Sequence, residues 1–242
     1  MYKMVKSIMN KKRENKNPII AEIKVYSPKY GDLLRGRDEM DILRIYEEAG
    51  VAGISYITDR KYFKGDFQVF KKICSSTELP VLRKDFITSK EEIERTAEVE
   101  GSAILLIGRL LKEKTGEFVD YALEHGLDTI VEVHSREEME IAKGTNTTMI
   151  GINNRDISKL ELDDGDVSLT AKLSRYLPEG VVSVSESGIS TLEDLKAALR
   201  YTDAALIGTS FMKAKDTLNF VKSFVEARLY LDKIVDNYNP YF

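Results

Sequence analysis

One cysteine, two histidines and no tryptophan occur in this 242-residue chain. The lone cysteine, Cys74, cannot form an internal disulfide, and such sparing use fits a reducing cytosol. It reads as a small apolar filler on a helix. His125 and His134 leave little material for a histidine-based metal site. No stretch reaches the roughly 18 apolar residues that a membrane span requires. The first residues mix Met and Lys without an apolar core or a small-residue cleavage site, so no signal peptide is expected. Excess positive charge is also missing. A net charge of −4 and a pI near 5.5 argue against a general nucleic-acid surface. Neither a membrane nor a nucleic acid is therefore expected as a partner. No low-complexity segment and no Gly-x-Gly-x-x-Gly fingerprint is present.

What is present is a regular alternation. Short apolar runs at 19–24, 53–58, 80–84, 102–107, 129–133, 149–153, 181–185 and 204–208 read as strands. Amphipathic stretches at about 38–49, 66–75, 89–99, 112–125, 135–143, 167–176 and 190–200 read as helices, with an eighth from about 214. Asp38, Ser89, Ser135 and Thr191 stand where N-caps are needed. Gly50, Gly101 and Gly126 stand where helices should stop. Eight strands each followed by a helix, with short connections, predict an α/β fold of one domain: a (β/α)8 TIM barrel over residues 1–242. A doubly wound open sheet is the competing architecture. Residues 1–17 are basic and polar and predict a short helix or frayed arm. Residues from about 214 to 242 predict the last helix and a tail, with Phe224, Leu229, Leu231 and Ile234 at helical spacing.

The first strand carries the pattern's one anomaly. Glu22 and Lys24 lie two residues apart among Ile19, Ile20, Ala21, Ile23 and Val25, so both charges share one face of a buried strand. Desolvating a charge costs several kcal/mol unless it is paired or used. On this segment alone, a structural ion pair and a functional pair fit equally well. The C-terminal ends of barrel strands gather around one mouth, where such enzymes act. That rule adds Lys84 from the third strand, Glu132 from the fifth, Asn153 and nearby Arg155 from the sixth, and Glu186 and Ser187 from the seventh. Singly, each has a structural explanation; together they converge on one end. The segments Ser185–Ile189 and Ile207–Ser210 place glycine and hydroxyl groups after the seventh and eighth strands. There, backbone N–H groups commonly bind phosphate. Lys24 and Ser27, across the mouth, could add to that site.

These residues carry a resemblance. PIIAEIKVYSP, ISYITDRKYFKGD, VLRKDFI, ILLI, VEVH, IGINNRD, SESGI and LIGTSFM occur in the order and spacing of the indole-3-glycerol-phosphate synthases, over about residues 18–213. Membership implies a carboxy-lyase of tryptophan biosynthesis, without cofactor or metal. Its substrate is a small phosphorylated molecule, 1-(2-carboxyphenylamino)-1-deoxyribulose 5-phosphate, which loses CO2 and water. The resemblance implies catalytic roles for Glu22, Lys24, Lys84, Glu132, Asn153, Glu186 and Ser187. It implies substrate and phosphate contacts from Lys24, Ser27, Arg155, Ser187, Gly188, Gly208 and Thr209. Phe63, Phe86, Leu105, Ile157 and Leu160 would line the pocket for the aryl ring. A cytoplasmic monomer is expected, with association with other tryptophan-pathway enzymes left open.

The chain departs from the family pattern in three places. Only about 17 residues precede the first strand, and no tryptophan is available for an aromatic contact there. Lys29 replaces a small residue in the first loop. Gly108-Arg109 replaces the usual small or aliphatic pair. Three other readings compete: an isomerase with the same phosphate site, a Schiff-base aldolase using Lys84 or Lys24, and a catalytically idle barrel. The isomerase explains the carboxylates but not two lysines at one mouth.

Overall fold

A computed structural model describes residues 2–155 and 166–228. The chain begins with helix α1 (Lys3–Arg13), followed by strand β1 (Ile19–Ile23) and a two-stranded ribbon, β2 (Tyr26–Ser27) and β3 (Gly31–Asp32). Helix α2 (Glu39–Ala49) leads to β4 (Gly53–Ile57), then α3 (Arg60–Phe63), α4 (Phe67–Cys74) and β5 (Val81–Lys84). Next come α5 (Lys90–Glu98), β6 (Ala103–Ile107), α6 (Gly108–Leu111), α7 (Thr115–Glu124) and β7 (Asp128–Val133). The last third holds α8 (Arg136–Lys143), β8 (Met149–Asn153), α9 (Ser168–Leu173), β9 (Val182–Glu186), α10 (Leu192–Leu199), β10 (Ala204–Ile207), α11 (Thr209–Lys213) and α12 (Thr217–Glu226).

Eight of the strands close into a parallel barrel in the order β1-β10-β9-β8-β7-β6-β5-β4. The predicted (β/α)8 count therefore holds, and closure rules out the open sheet. Helix ends follow local chemistry. The Asp38 carboxylate accepts the Met40 N–H at 2.7 Å, Gly50 closes α2 at φ +76°, and Thr191 and Asp194 form a capping box on α10. Ser89 occupies its N-cap position without a side-chain cap bond. The expectation for Gly101 needs correction. Glu100, not Gly101, takes the left-handed turn after α5, at φ +61°. Gly101 is needed for space, since a Cβ there would stand 2.8 Å from Thr96.

Three short helices (α3, α6, α11) and the β2–β3 ribbon were not expected, because pieces this short carry no period. The helix expected over 112–125 starts only at Thr115, after α6 and a 3-10 turn over 112–114. The last helix starts at Thr217, because α11 occupies the preceding segment. The expected tail contacts of Leu229, Leu231 and Ile234 lie outside the described residues. Cys74 is a free thiol ending α4.

Side-chain alternation and strand register stack the barrel interior in layers contributed by alternate strands. The lower layer is apolar, with Ile20, Leu82, Ile130 and Val184 from β1, β5, β7 and β9. Above it, β4, β6, β8 and β10 contribute Ser55, Leu105, Gly151 and Leu206. The next layer again belongs to β1, β5, β7 and β9, and it consists of Glu22, Lys84, Glu132 and Glu186. The fold thus delivers four ionisable side chains to one level of the barrel.

The N-terminal segment resolves as a helix, not a frayed arm. Met4 and Ile8, one turn apart and fully buried, join the apolar cluster of the barrel interior. The buried Asp128 carboxylate accepts the Met4 N–H at 2.7 Å, which anchors the helix by its electropositive end. Among the described residues no helix is long and apolar enough to cross a membrane. Met4→Ala should lower folding stability by about 2–5 kcal/mol, as buried truncations of this size do. Chemical denaturation of the two proteins checks it, and an unchanged midpoint would show that the helix is not part of the core.

Candidate active site

A cleft of about 860 Å³ opens at the C-terminal ends of the barrel strands. Lys84, at the end of β5, forms its charged floor. Its ammonium lies 3.0 Å from Glu186, 3.6 Å from Glu22 and 4.0 Å from Glu132. Lys24 completes the group, 3.1 Å from Glu22 on the same strand face, and its ammonium reaches Thr209 Oγ1 at 3.3 Å. The Glu22–Lys24 anomaly is therefore an ion pair that also belongs to the cleft.

Three carboxylates and two ammonium groups leave one negative charge in excess inside the barrel. Burial penalises that charge most at Glu186, which is fully enclosed. Desolvation first, then the nearby Glu132 and Glu22, raise its pKa to about 7, against the opposing pull of Lys84. For Lys84, burial alone would favour the neutral amine. Glu186, Glu22 and Glu132 together overcome that effect, and its pKa rises. A lysine so held stays an ammonium, suited to donating hydrogen bonds to a substrate oxygen or carboxylate. It is poorly suited to be a Schiff-base nucleophile, which must be a free amine.

Glycine makes room for this group. A Cβ on Gly208 would lie 3.0 Å from Glu22 Cβ, and one on Gly151 would lie 2.9 Å from Ile130 while striking Glu186. The loop after β9 is held in an unusual shape, with Ser187 at φ +65° and Gly188 at φ +75°. A left-handed serine costs on the order of 1 kcal/mol, and Asn154 offsets this cost. Its side-chain amide donates to the carbonyls of Glu186 and Ser187 at 2.9 and 3.1 Å. Its Oδ1 accepts from the Thr170 N–H and hydroxyl, each at 3.0 Å. Ser210 ties the loop after β10 to it by donating to the Ile189 carbonyl at 2.9 Å.

Of the residues singled out by sequence, Glu22, Lys24, Lys84, Glu132, Asn153, Arg155, Ser187, Gly188, Gly208 and Thr209 line the cleft, as do Phe63, Phe86 and Leu105. Glu186 lies beneath the lining, in contact with Lys84. Ser27 is buried outside the lining, and its hydroxyl accepts the Lys29 N–H at 3.3 Å. Ile157 and Leu160 fall outside the described residues.

Several contributors were not singled out. Asp59 caps α3 by accepting the N–H groups of Tyr62 and Phe63 at 2.6 and 3.1 Å, which sets Phe63 under the Lys24 ammonium. Arg83 is buried against Thr58 and Thr96, at 3.0 and 3.1 Å, and against the Glu92 carboxylate, so the strand end presenting Lys84 is braced. An Asp three residues before an aromatic pair is a readable capping signal for α3. The partners of Arg83 and Asn154 come from distant segments and leave no local pattern.

Fold and site define the class: a (β/α)8 enzyme whose charged barrel layer opens into a cleft suited to proton transfer. A family model described as indole-3-glycerol phosphate synthase matches residues 2–224. The chain belongs to that family. It is 71% identical over 218 residues to the indole-3-glycerol phosphate synthase of Pyrococcus abyssi, covering 90% of this chain and 95% of the relative. It is 51% identical over 222 residues to the tryptophan biosynthesis protein TrpCD of Archaeoglobus fulgidus, covering 92% of this chain and 40% of that longer protein. In fold it resembles the N-acetylmannosamine-6-phosphate 2-epimerase of Clostridium perfringens, at a TM-score of 0.64 and 16% identity, over 86% of this chain and 90% of that one.

The charge excess makes a pH prediction. Glu186 ionises near the ordinary carboxylate value in the unfolded chain but only near 7 in the folded one. Its contribution to stability is fully present below the unfolded pKa and is lost as pH rises through the folded one. Glu186→Gln, which cannot titrate, should therefore gain stability relative to the parent between about pH 4 and about pH 8. Denaturant midpoints across that range check it; a constant difference would contradict it.

Proposed function

We propose that this barrel converts 1-(2-carboxyphenylamino)-1-deoxyribulose 5-phosphate to indole-3-glycerol phosphate, releasing CO2 and water in tryptophan biosynthesis. One observation carries the reading: a lysine held as an ammonium by three buried carboxylates, at the mouth of a barrel of this family. Ring closure needs an electrophilic C2′ carbonyl, and the Lys84 ammonium polarises and protonates that oxygen. The same cation balances the anthranilate carboxylate until CO2 leaves.

Dehydration then needs an acid for the departing hydroxyl and a base for the ring proton. Glu132, Lys24 and Glu22 are the groups that share these tasks. Glu186 adjusts the charge around Lys84, and Asn153 and Arg155 hold the substrate's hydroxyl groups. The phosphate sits against Lys24, Ser187, Gly188, Gly208 and Thr209, where two loops with close backbone approach face a lysine. Phe63, Phe86 and Leu105 take the aryl ring. A cytoplasmic location fits a role in this pathway. Association with a pathway neighbour is supported by the likeness to part of the longer TrpCD chain.

Incubation of the purified protein with this substrate should yield a rise in indole fluorescence. Lys84→Ala should lower kcat by about 10²–10⁴, the range for loss of a direct acid–base group. No product from the parent at micromolar enzyme overturns the reading, and full kcat in Lys84→Ala overturns the role of that lysine.

A further inference from the structure

Behind Glu132, on the side away from Lys84, a second chain of ionisable groups runs outward through three elements. His134 follows Glu132 on the same face of the chain and is almost wholly enclosed, with its side chain 3% exposed. Its Nε2 stands 3.5 Å from Glu132 Oε1. Its Nδ1 stands 3.2 Å from Glu138 Oε2 in the first turn of α8, and that oxygen also accepts the His134 backbone N–H at 2.8 Å. Glu138 in turn receives the Arg109 guanidinium at 2.9 Å from α6. Gly108 lets α6 lie close enough for this, since a Cβ there would stand 3.2 Å from the Glu132 carbonyl. The Gly108-Arg109 departure from the family pattern thus acquires a structural role.

Proton counting narrows the state of the imidazole. Neutral histidine has one N–H and one lone pair. Whichever tautomer forms, the lone pair would face a carboxylate oxygen, at Glu138 or at Glu132. Among the described residues neither the buried His134 Nε2 nor Glu132 Oε1 has a hydrogen-bond partner, so their contact is unsatisfied without a proton between them. An imidazolium satisfies both sides while leaving Glu132 a carboxylate; the other arrangement, a proton on Glu132 facing a neutral ring, would give a low histidine midpoint. The charge of the imidazolium opposes the excess negative charge of the barrel layer.

We propose that His134 is a positioning residue for the reaction, held as an imidazolium between Glu138 and Glu132, where it keeps Glu132 ionised and aimed into the cleft. This rests on the proposed role of Glu132. The electrostatics agree in direction. Burial would favour the neutral ring, but the bond to Glu138 and the charges of Glu132 and Glu138 outweigh it and the repulsion from Arg109, so the His134 pKa rises. Glu138 is penalised by burial, yet its bonds from His134 and Arg109 hold its pKa down at about 2. Above the His134 pKa two acceptors face each other, and Glu132 loses its orientation.

The chain has only two histidines, so imidazole nitrogen NMR of the whole protein resolves His134 from the exposed His125, with His134→Asn giving the assignment. The His134 midpoint should lie above the ordinary value of about 6.5 and should fall in both Glu138→Gln and Glu132→Gln. His134→Asn should lower kcat about tenfold, less than the ~10²–10⁴ of a direct acid–base group, leave KM within about a factor of two, and remove the alkaline limb of the kcat profile. A midpoint at or below the ordinary value in the parent overturns the proposal without any activity measurement. So does a His134→Asn profile identical in shape and height to the parent's. Full kcat in Glu132→Gln instead overturns the role of Glu132 and leaves the charge state of His134 to the NMR result.

Discussion

The Lys84 ammonium and the three carboxylates around it are the interaction on which the site depends. Interior barrel layers are ordinarily branched and apolar, and here one layer is ionic. Removing four charges from water costs several kcal/mol each unless geometry compensates. The compensation is visible: one cation within 4.0 Å of three anions, with a second cation bonded to Glu22 at 3.1 Å. The balance is incomplete by one charge. Burial first, and then that deficit, lets the Glu186 carboxyl hold a proton near neutral pH, which a chemistry of several proton transfers needs.

The surroundings are arranged around this layer. Gly151 and Gly208 lie beside it because a methyl group would displace Glu186 or Glu22. Arg83 braces the strand end that carries Lys84. Asn154 holds the loop that follows Glu186. On the outer side, His134, Glu138 and Arg109 set the environment of Glu132. These residues come from different elements, so the rigidity of the barrel becomes the precision of the site.

Much of this was legible in the sequence. Apolar runs separated by capped amphipathic segments set the strand count, and the end-of-strand rule found Glu22, Lys24, Lys84, Glu132, Asn153 and Glu186. Charges inside apolar strands are conspicuous because nothing local accounts for them. Less visible were features that depend on distant partners. Asn154 is not marked out by the sequence, although it makes the bonds that shape the Ser187 turn. The pairing of Met4 and Ile8 was hidden in a basic segment. Gly101 looked like a helix stop, but contacts with Thr96 and Phe70 explain it. Sequence period reveals which face is buried; it does not reveal what meets that face.

Enclosure, with two carboxylates nearby, keeps a proton on Glu186 to near neutral pH against the pull of Lys84. Carboxyl carbon NMR with labelled glutamate measures it directly. One buried carboxyl should titrate near neutral pH, disappear in Glu186→Gln, and move to higher pH in Lys84→Met, where the opposing cation is gone. A spectrum in which every carboxyl titrates in the ordinary range for exposed glutamates would rule out a proton held on Glu186.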